Sequence, residues 1–255
     1  MELILLGSGT GVPLADRGCP SLAFLVNERT VLFDMGPGTM RQLLRAGLDH
    51  QNVAGVWLTH FHPDHTGGLV HFLFATRHPG VVRRRNPFHI SGPRGTKHFL
   101  SSLQQVYGDW LVLPPEVMRF REIQPGDKAI DEGELRISCC PTRHTQESIA
   151  YRLEDSDGKK VVYSGDTGYC EEIISLARGA DLLILECSFP DGKETEGHLT
   201  PTLAGKIAQA AGARRLLLTH FYPECLKTDF ESRCRAAYNG ELMVGRDLFR
   251  IRLSR

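Results

Sequence analysis

Apolar residues along the chain fall into two recurrent patterns: short unbroken blocks sized for strands, and stretches where they recur at helical spacing. The blocks predict strands over Glu2–Leu6, Ser21–Val26, Thr30–Phe33, Val53–Leu58, Phe88–Ser91 and Met118–Ile123. They continue over Glu134–Cys140, Ser148–Leu153, Lys160–Ser164, Asp181–Glu186, Arg214–Thr219 and Leu248–Leu253. Asn27-Glu28-Arg29 reads as the turn of a hairpin. A short helix capped by Thr39 carries Met40, Leu43 and Leu44 on one face and ends at Gly47. Further helices are predicted over Leu69–Ala75, ended by Pro79-Gly80, and over Thr96–Tyr107, with Phe99, Leu103 and Val106 spaced for one face. Glu171–Ala177 and Asp229–Tyr238 also read as helical. Pro201 suits the first turn of a helix to Ala211 whose buried face is Leu203, Ile207, Ala210 and Ala211. Strands alternating with helices define an α/β chain. No linker, charge block or repeat divides it, so residues 1–255 are expected to form one domain of two similar β-then-α layers.

Composition changes this picture little. Hydrophobic residues at 41% and charged residues at 24% are ordinary for a globular chain and exclude a disordered one. Thirty Lys and Arg balance thirty Asp and Glu, so no overall field announces nucleic acid, although a local basic patch remains compatible with neutrality. The apolar runs are too short to span a bilayer, and Met1–Leu6 lacks the basic start and long apolar stretch of a signal peptide. Seven cysteines without framework spacing fit a reducing compartment, so the expected location is the cytoplasm.

Histidine changes it a great deal. The string Thr59-His60-Phe61-His62-Pro63-Asp64-His65 puts three imidazoles and a carboxylate behind one strand. Alternation along an extended segment lets His60 and His62 face one ion. Pro63 then bends the chain so that Asp64 and His65 can face a second. Three more donors follow strands, namely His144, Asp166 and His220. Nitrogen and oxygen donors of this kind suit zinc, with manganese or iron as alternatives. Two such ions lower the pKa of water, so a metal-bound hydroxide can attack a substrate without a Ser or Cys nucleophile, and Asp64 can orient it. Glu186, ending a strand, and His198, just before a helix, form a candidate carboxylate–imidazole pair, with His198 as general acid. A pairless loop histidine beside a surface glutamate is the plain alternative.

With His144, Asp166 and His220 following in order, the string resembles the metallo-β-lactamase superfamily, and Asp34 resembles its first motif. The resemblance implies a four-layer αββα sandwich with the site at the sheet edges. It implies His60, His62 and His144 on one metal, Asp64, His65 and His220 on the other, and Asp166 bridging. Asp34 would orient a ligand. Leu6-Gly7-Ser8-Gly9-Thr10-Gly11-Val12-Pro13, the segment Phe33–Leu44, Glu186-Cys187-Ser188 and Gly197-His198-Leu199-Thr200 are similar to the ribonuclease Z branch. That branch cuts a phosphodiester at the 3′ end of precursor tRNA, with Glu and His assisting the leaving group. Three departures stand out. Only 22 residues separate His144 from Asp166, leaving no room for the tRNA-gripping arm of that family; Leu185 replaces a His and Pro63 a Gly. The expected activity is therefore a metal-dependent phosphodiesterase acting on a small phosphodiester, a nucleotide or an RNA end. Hydrolysis of a thioester, lactone or sulfate ester and non-catalytic binding are the alternatives. A homodimer is implied by the resemblance alone.

Other features are read plainly. Arg83-Arg84-Arg85 is taken as a solvated loop rather than a phosphate grip, and Phe61, Phe221 and Tyr222 as packing rather than base stacking. Gly7–Gly11 lacks P-loop spacing and is expected to make a tight turn beside the site, and Cys139 and Cys140 are expected to be ordinary buried thiols.

Overall fold

A computed structural model describes residues 1–26, 29–77 and 86–253. The first sheet contains β1 (Glu2–Gly7), β2 (Ser21–Val26), β3 (Arg29–Phe33), β4 (Val53–Trp57), β5 (Phe88–Gly92) and β6 (Met118–Glu122). The last strand of the chain, β14 (Phe249–Arg252), completes it in the order β14-β1-β2-β3-β4-β5-β6. The second sheet contains β7 (Ile130–Glu132), β8 (Leu135–Pro141), β9 (Ile149–Asp155), β10 (Lys160–Tyr163), β11 (Leu182–Glu186), β12 (Arg215–Thr219) and β13 (Glu241–Val244). Its order is β13-β12-β11-β10-β9-β8-β7. Each sheet joins an antiparallel portion to a run of parallel strands, β3 to β6 in one and β10 to β13 in the other.

Alternation along the strands explains the layering. In β1, Leu3 and Leu5 face the second sheet, whereas Ile4 and Leu6 face the outer helices; in β11, Leu182 and Ile184 point inward and Leu183 and Leu185 outward. The helices α1 (Thr39–Arg45), α2 (Pro63–Thr66), α3 (Gly68–Arg77) and α4 (Thr96–Tyr107) accompany the first sheet, with α1, α3 and α4 packed on its outer face. The second sheet is covered by α5 (Glu171–Leu176), α6 (Pro201–Ala211), α7 (Pro223–Leu226) and α8 (Phe230–Ala237). This is the αββα sandwich. Among the described residues no helix is long and apolar enough to cross a membrane.

Between the sheets Phe33, Trp57 and Tyr151 form an aromatic cluster, with Phe33–Tyr151 centroids 5.2 Å and Trp57–Tyr151 5.7 Å apart. Such edge contacts contribute about 0.5–1.5 kcal/mol each beyond area burial. The Tyr151 hydroxyl donates to Leu58 O at 2.6 Å, and Ile149 N donates to Thr59 O at 3.0 Å. The second sheet thereby grips the first one residue before His60.

Several predicted faces shift. Thr39 is the first residue of α1 rather than its cap; Gly38, at φ 90°, holds the cap position. Leu44 is 69% exposed, because Gln42 turns inward to donate to Leu6 O and Asp247. In α4, Leu100 is buried and Val106 exposed. In α6 the buried face is Ala204, Ile207, Ala208 and Ala211, and Ala210 is exposed. Strands β7 and β13 are additional to those predicted, being short and only partly buried. The predicted turn at Asn27-Glu28, the helix end at Pro79-Gly80 and the run Arg83-Arg84-Arg85 lie outside the described residues.

Candidate metal centre

The C-terminal ends of the parallel strands in both sheets meet at one edge of the sandwich, where open α/β sheets place their ligands. Leaving β4, the chain presents His60 and His62; His62 then caps α2, whose first turn holds Pro63 and Asp64, followed by His65. His144 lies in the β8–β9 loop, Asp166 follows β10, Glu186 ends β11 and His220 follows β12.

The seven predicted ligands come together. His60, His62, His144 and Asp166 have donor atoms within 4.8 Å of one another, as do Asp64, His65 and His220. Asp166 spans the two groups. Its Oδ2 lies 3.8 Å from His60 Nε2 and 3.7 Å from His144 Nε2, and its Oδ1 lies 3.2 Å from both His65 Nε2 and His220 Nε2. His144 Nε2 and His62 Nδ1 are 3.1 Å apart, and His65 Nε2 and His220 Nε2 are 3.3 Å apart. His60 Nε2 and Asp166 Oδ1 are buried without a well-formed hydrogen bond. Nitrogen lone pairs converging on a carboxylate, with orphaned buried polar atoms among them, are the arrangement that a divalent cation satisfies.

The opposite side of four rings is already engaged. His60 Nδ1 is 2.9 Å from Thr59 Oγ1, His65 Nδ1 is 2.8 Å from Asp34 Oδ2, His144 Nδ1 is 3.0 Å from Gly197 O, and His220 Nδ1 is 2.9 Å from Ser188 Oγ. These partners direct the four Nε2 atoms inward; His62 alone turns Nδ1 inward. Asp34 is fully buried at φ 55° and also accepts from Thr59 N, the Thr59 hydroxyl and the Tyr163 hydroxyl.

Charges follow this geometry. Burial pulls His65 down, but Asp166 and Asp34 outweigh it and hold the ring well above its ordinary value. Burial and neighbouring His65 push His60 well below. Burial opposes ionisation of Asp64, yet His220 and His65 hold its carboxyl below the usual range. Gly11 N–H also donates to Asp64 at 3.0 Å, which places the glycine-rich loop against the centre as expected. The turn is tight: a Cβ on Gly7 would sit 1.8 Å from Cys19 O.

Glu186 and His198 form the anticipated pair. Glu186 is buried, and its Oε1 lies 2.9 Å from His198 Nδ1. Burial lowers the His198 pKa, but the Glu186 bond and charge overcome this and raise it. Asp166, His198 and His220 also have donor atoms within 4.8 Å, so His198 stands at the rim of the cluster. Not foreseen were Thr59, Tyr163, Ser188 and the backbone N–H groups of Gly11 and Thr167. Position was the available signal for Thr59 and Ser188, which adjoin motif residues. Tyr163 becomes relevant only when the sheets stack. Phe221 packs in the core against Phe230, as expected, whereas Tyr222 stays half-buried, stacked on Phe189 at 4.7 Å. Cys139 and Cys140 are partly buried free thiols.

Sandwich and site together define a metal-dependent hydrolase of the metallo-β-lactamase fold. Residues 29–221 match the family model of the beta-lactamase superfamily domain. Within that superfamily the chain belongs to the ribonuclease Z family. It is 30% identical to Ribonuclease Z of Streptomyces avermitilis, covering 98% of this chain and 97% of that protein. The alignment spans 305 positions, more than the 255 residues here, so the relative carries segments without a counterpart in this chain. The fold is similar to the metallo-beta-lactamase fold protein YhfI from Bacillus subtilis, with TM-score 0.86, 25% identity and 98% of each chain covered. It also resembles human tRNase Z, short form, with TM-score 0.79, 23% identity and both chains fully covered.

Proposed function

We propose that the chain is a binuclear phosphodiesterase acting on RNA ends, with small phosphodiesters as accessible substrates. The observation that carries this reading is the Glu186–His198 pair at the rim of the donor cluster, which supplies an acid where a phosphodiester's leaving group needs one. One ion would be held by His60, His62 and His144, a second by Asp64, His65 and His220, with Asp166 shared. The nitrogen-rich donor set favours zinc. Bound divalent ions supply Lewis acidity, polarising phosphoryl oxygens and bringing the pKa of a water towards about 7.

The chain's own residues do the rest. Glu186 holds His198 by Nδ1, which leaves Nε2 as the nitrogen that hands a proton to the departing oxygen. Deprotonated Asp64, fixed by Gly11 N–H, orients the incoming water. Asp34, Thr59 and Ser188 keep the imidazoles aimed at the centre. The ribonuclease Z relatives support RNA as substrate, and the seven free thiols support a reducing, cytoplasmic setting.

Equal amounts of zinc-loaded enzyme would be assayed on precursor tRNA, a short 3′-extended RNA and a bis-aryl phosphodiester. Turnover of the diesters, falling about 100-fold or more in His198→Ala on the RNA, is expected. No turnover of any phosphodiester, or an unimpaired His198→Ala variant on RNA, would refute the reading.

A further inference from the structure

Helices α3 and α4 and the turn of 3-10 helix that follows α4 (Gly108–Leu111) enclose an apolar cavity of about 650 Å³. It begins at the ligand loop, because Phe61 and Pro63, which alternate with His60, His62 and Asp64, form one end of its wall. There Phe61 lies stacked on Phe99, with centroids 4.9 Å apart and planes at 18°. At the other end three rings stand in solvent: Phe74 is 43% exposed, Tyr107 47% and Trp110 61%. Phe74 and Trp110 meet edge to face at 5.7 Å. Rings of this size are ordinarily buried, so their clustering marks an interaction surface.

Charge indicates what the surface meets. In a chain of zero net charge, the described residues between 65 and 115 include Arg77, Arg94 and Lys97 against one acid, Asp109. All three cations are exposed. Helices α3 and α4 contain no acidic residue. Glu122, the acid nearest the start of α4, is occupied by the N–H groups of Gly95 and Lys97. Exposed aromatic platforms in a cationic stretch, continuous with a phosphodiesterase centre, match the two requirements of single-stranded nucleic acid: stacking for bases and positive charge for phosphates.

We propose that this groove is a binding track for single-stranded RNA, on which unpaired bases next to the scissile phosphate stack against Trp110, Tyr107 and Phe74. The proposal rests on the phosphodiesterase reading above and gives the chain an RNA grip built into its helical layer. Stacking is tolerant of sequence, so the track selects unpaired bases rather than a particular base.

The test uses the full-length, metal-loaded protein and a fluorescent phosphorothioate oligoadenylate of about ten nucleotides, within the usual site size for single strands. An abasic strand of equal length serves as control. Wild type is expected to bind the oligoadenylate more tightly than the abasic strand. Trp110→Ala should weaken oligoadenylate binding roughly five- to a hundredfold and erase most of that preference. Tyr107→Ala, at a second exposed ring, should act in the same direction if the tryptophan variant folds poorly. Turnover of a bis-aryl phosphodiester, read in parallel, should stay at the wild-type level in both variants. Equal binding of the two strands by wild type, or unchanged oligoadenylate binding in both variants, overturns the proposal while leaving the centre's chemistry standing. Sedimentation showing a wild-type dimer dissolved by Trp110→Ala also overturns it, because the face would then join two copies. Loss of diester turnover in wild type with binding intact would count against the phosphodiesterase reading and not against the track.

Discussion

Replacing Glu186 by glutamine keeps the shape of a buried side chain and removes its charge. Both carboxylate oxygens are acceptors in the structure. Oε1 takes Thr167 N–H at 2.8 Å and His198 Nδ1 at 2.9 Å; Oε2 takes Leu199 N–H at 3.1 Å and the Ser188 hydroxyl. A glutamine has a single oxygen. Whichever way its amide turns, the NH2 group confronts a backbone N–H, that of Thr167 or that of Leu199. One or two buried donors lose their acceptor, at about 1–3 kcal/mol each, and a charge-assisted bond to His198 weakens; the expected destabilisation is about 2–5 kcal/mol. His198, left with the burial that lowers its pKa, would carry less proton at neutral pH. A general acid contributes about 100- to 10,000-fold. The Gln variant should therefore lose activity steeply on diesters with alkoxide leaving groups and much less on aryl diesters, whose phenolates depart unaided. Urea denaturation gives the stability and paired substrates give the leaving-group dependence. A variant with the wild-type urea midpoint and wild-type turnover of alkyl diesters would show that the network carries neither load.

Asp34→Asn keeps a residue that tolerates the left-handed backbone at φ 55° but cannot accept from Thr59, His65 and Tyr163 together. Competition with a chelator should show metal affinity reduced about 10- to 100-fold; unchanged affinity would deny Asp34 its orienting role. His89, half-buried beside Trp57 with Glu132 at 3.5 Å and Arg121 and Arg29 nearby, has its pKa pressed down to about 4, chiefly by desolvation. The unfolded chain then binds the extra proton between about pH 6.5 and 4, so this contribution is complete above pH 6.5 and falls as pH drops through that window. It is worth up to about 3 kcal/mol, and His89→Gln should shrink the difference in urea midpoint between pH 7 and 4.5; an equal difference in the variant would refute it. Chelation should lower the urea midpoint of the wild type by an amount equivalent to about 3–4 kcal/mol, and added zinc should restore it; a midpoint indifferent to both would argue against ions at the centre.

Much of the donor cluster was legible because side chains of one chemistry, crowded together, leave a dense trace. His60, His62, Asp64 and His65 crowd one strand end, and His144, Asp166 and His220 each follow an apolar block that could only be a strand. The long blocks also located most elements, and α4 and α6 begin and end where spacing and Pro201 place them. What stayed hidden depends on tertiary contact. Gln42 is polar, yet it faces inward to Leu6 O and Asp247, and no periodicity announces an inward glutamine. Tyr163 reads as a strand residue until the sheets stack and bring its hydroxyl to Asp34, 129 positions away in sequence. Strands β7 and β13 owe their existence to an edge partner rather than to a strong pattern of their own.

The donor atoms come from both sheets, and that division bears on how long the folded chain persists. His62 and His144 are 82 positions apart, and His65 and His220 are 155 apart. An ion held by both members of such a pair ties off a loop of that length. In the chain-entropy account of cross-links, closing about 100 residues removes unfolded conformations worth about 4.7 kcal/mol. All seven cysteines are free thiols, so the chain has no covalent staple of its own. The ions would serve as reversible ones, fastened when metal is plentiful and released when it is scarce. Lifetime against proteases would then follow metal supply, and starvation for metal would shorten the protein's life as well as silence it.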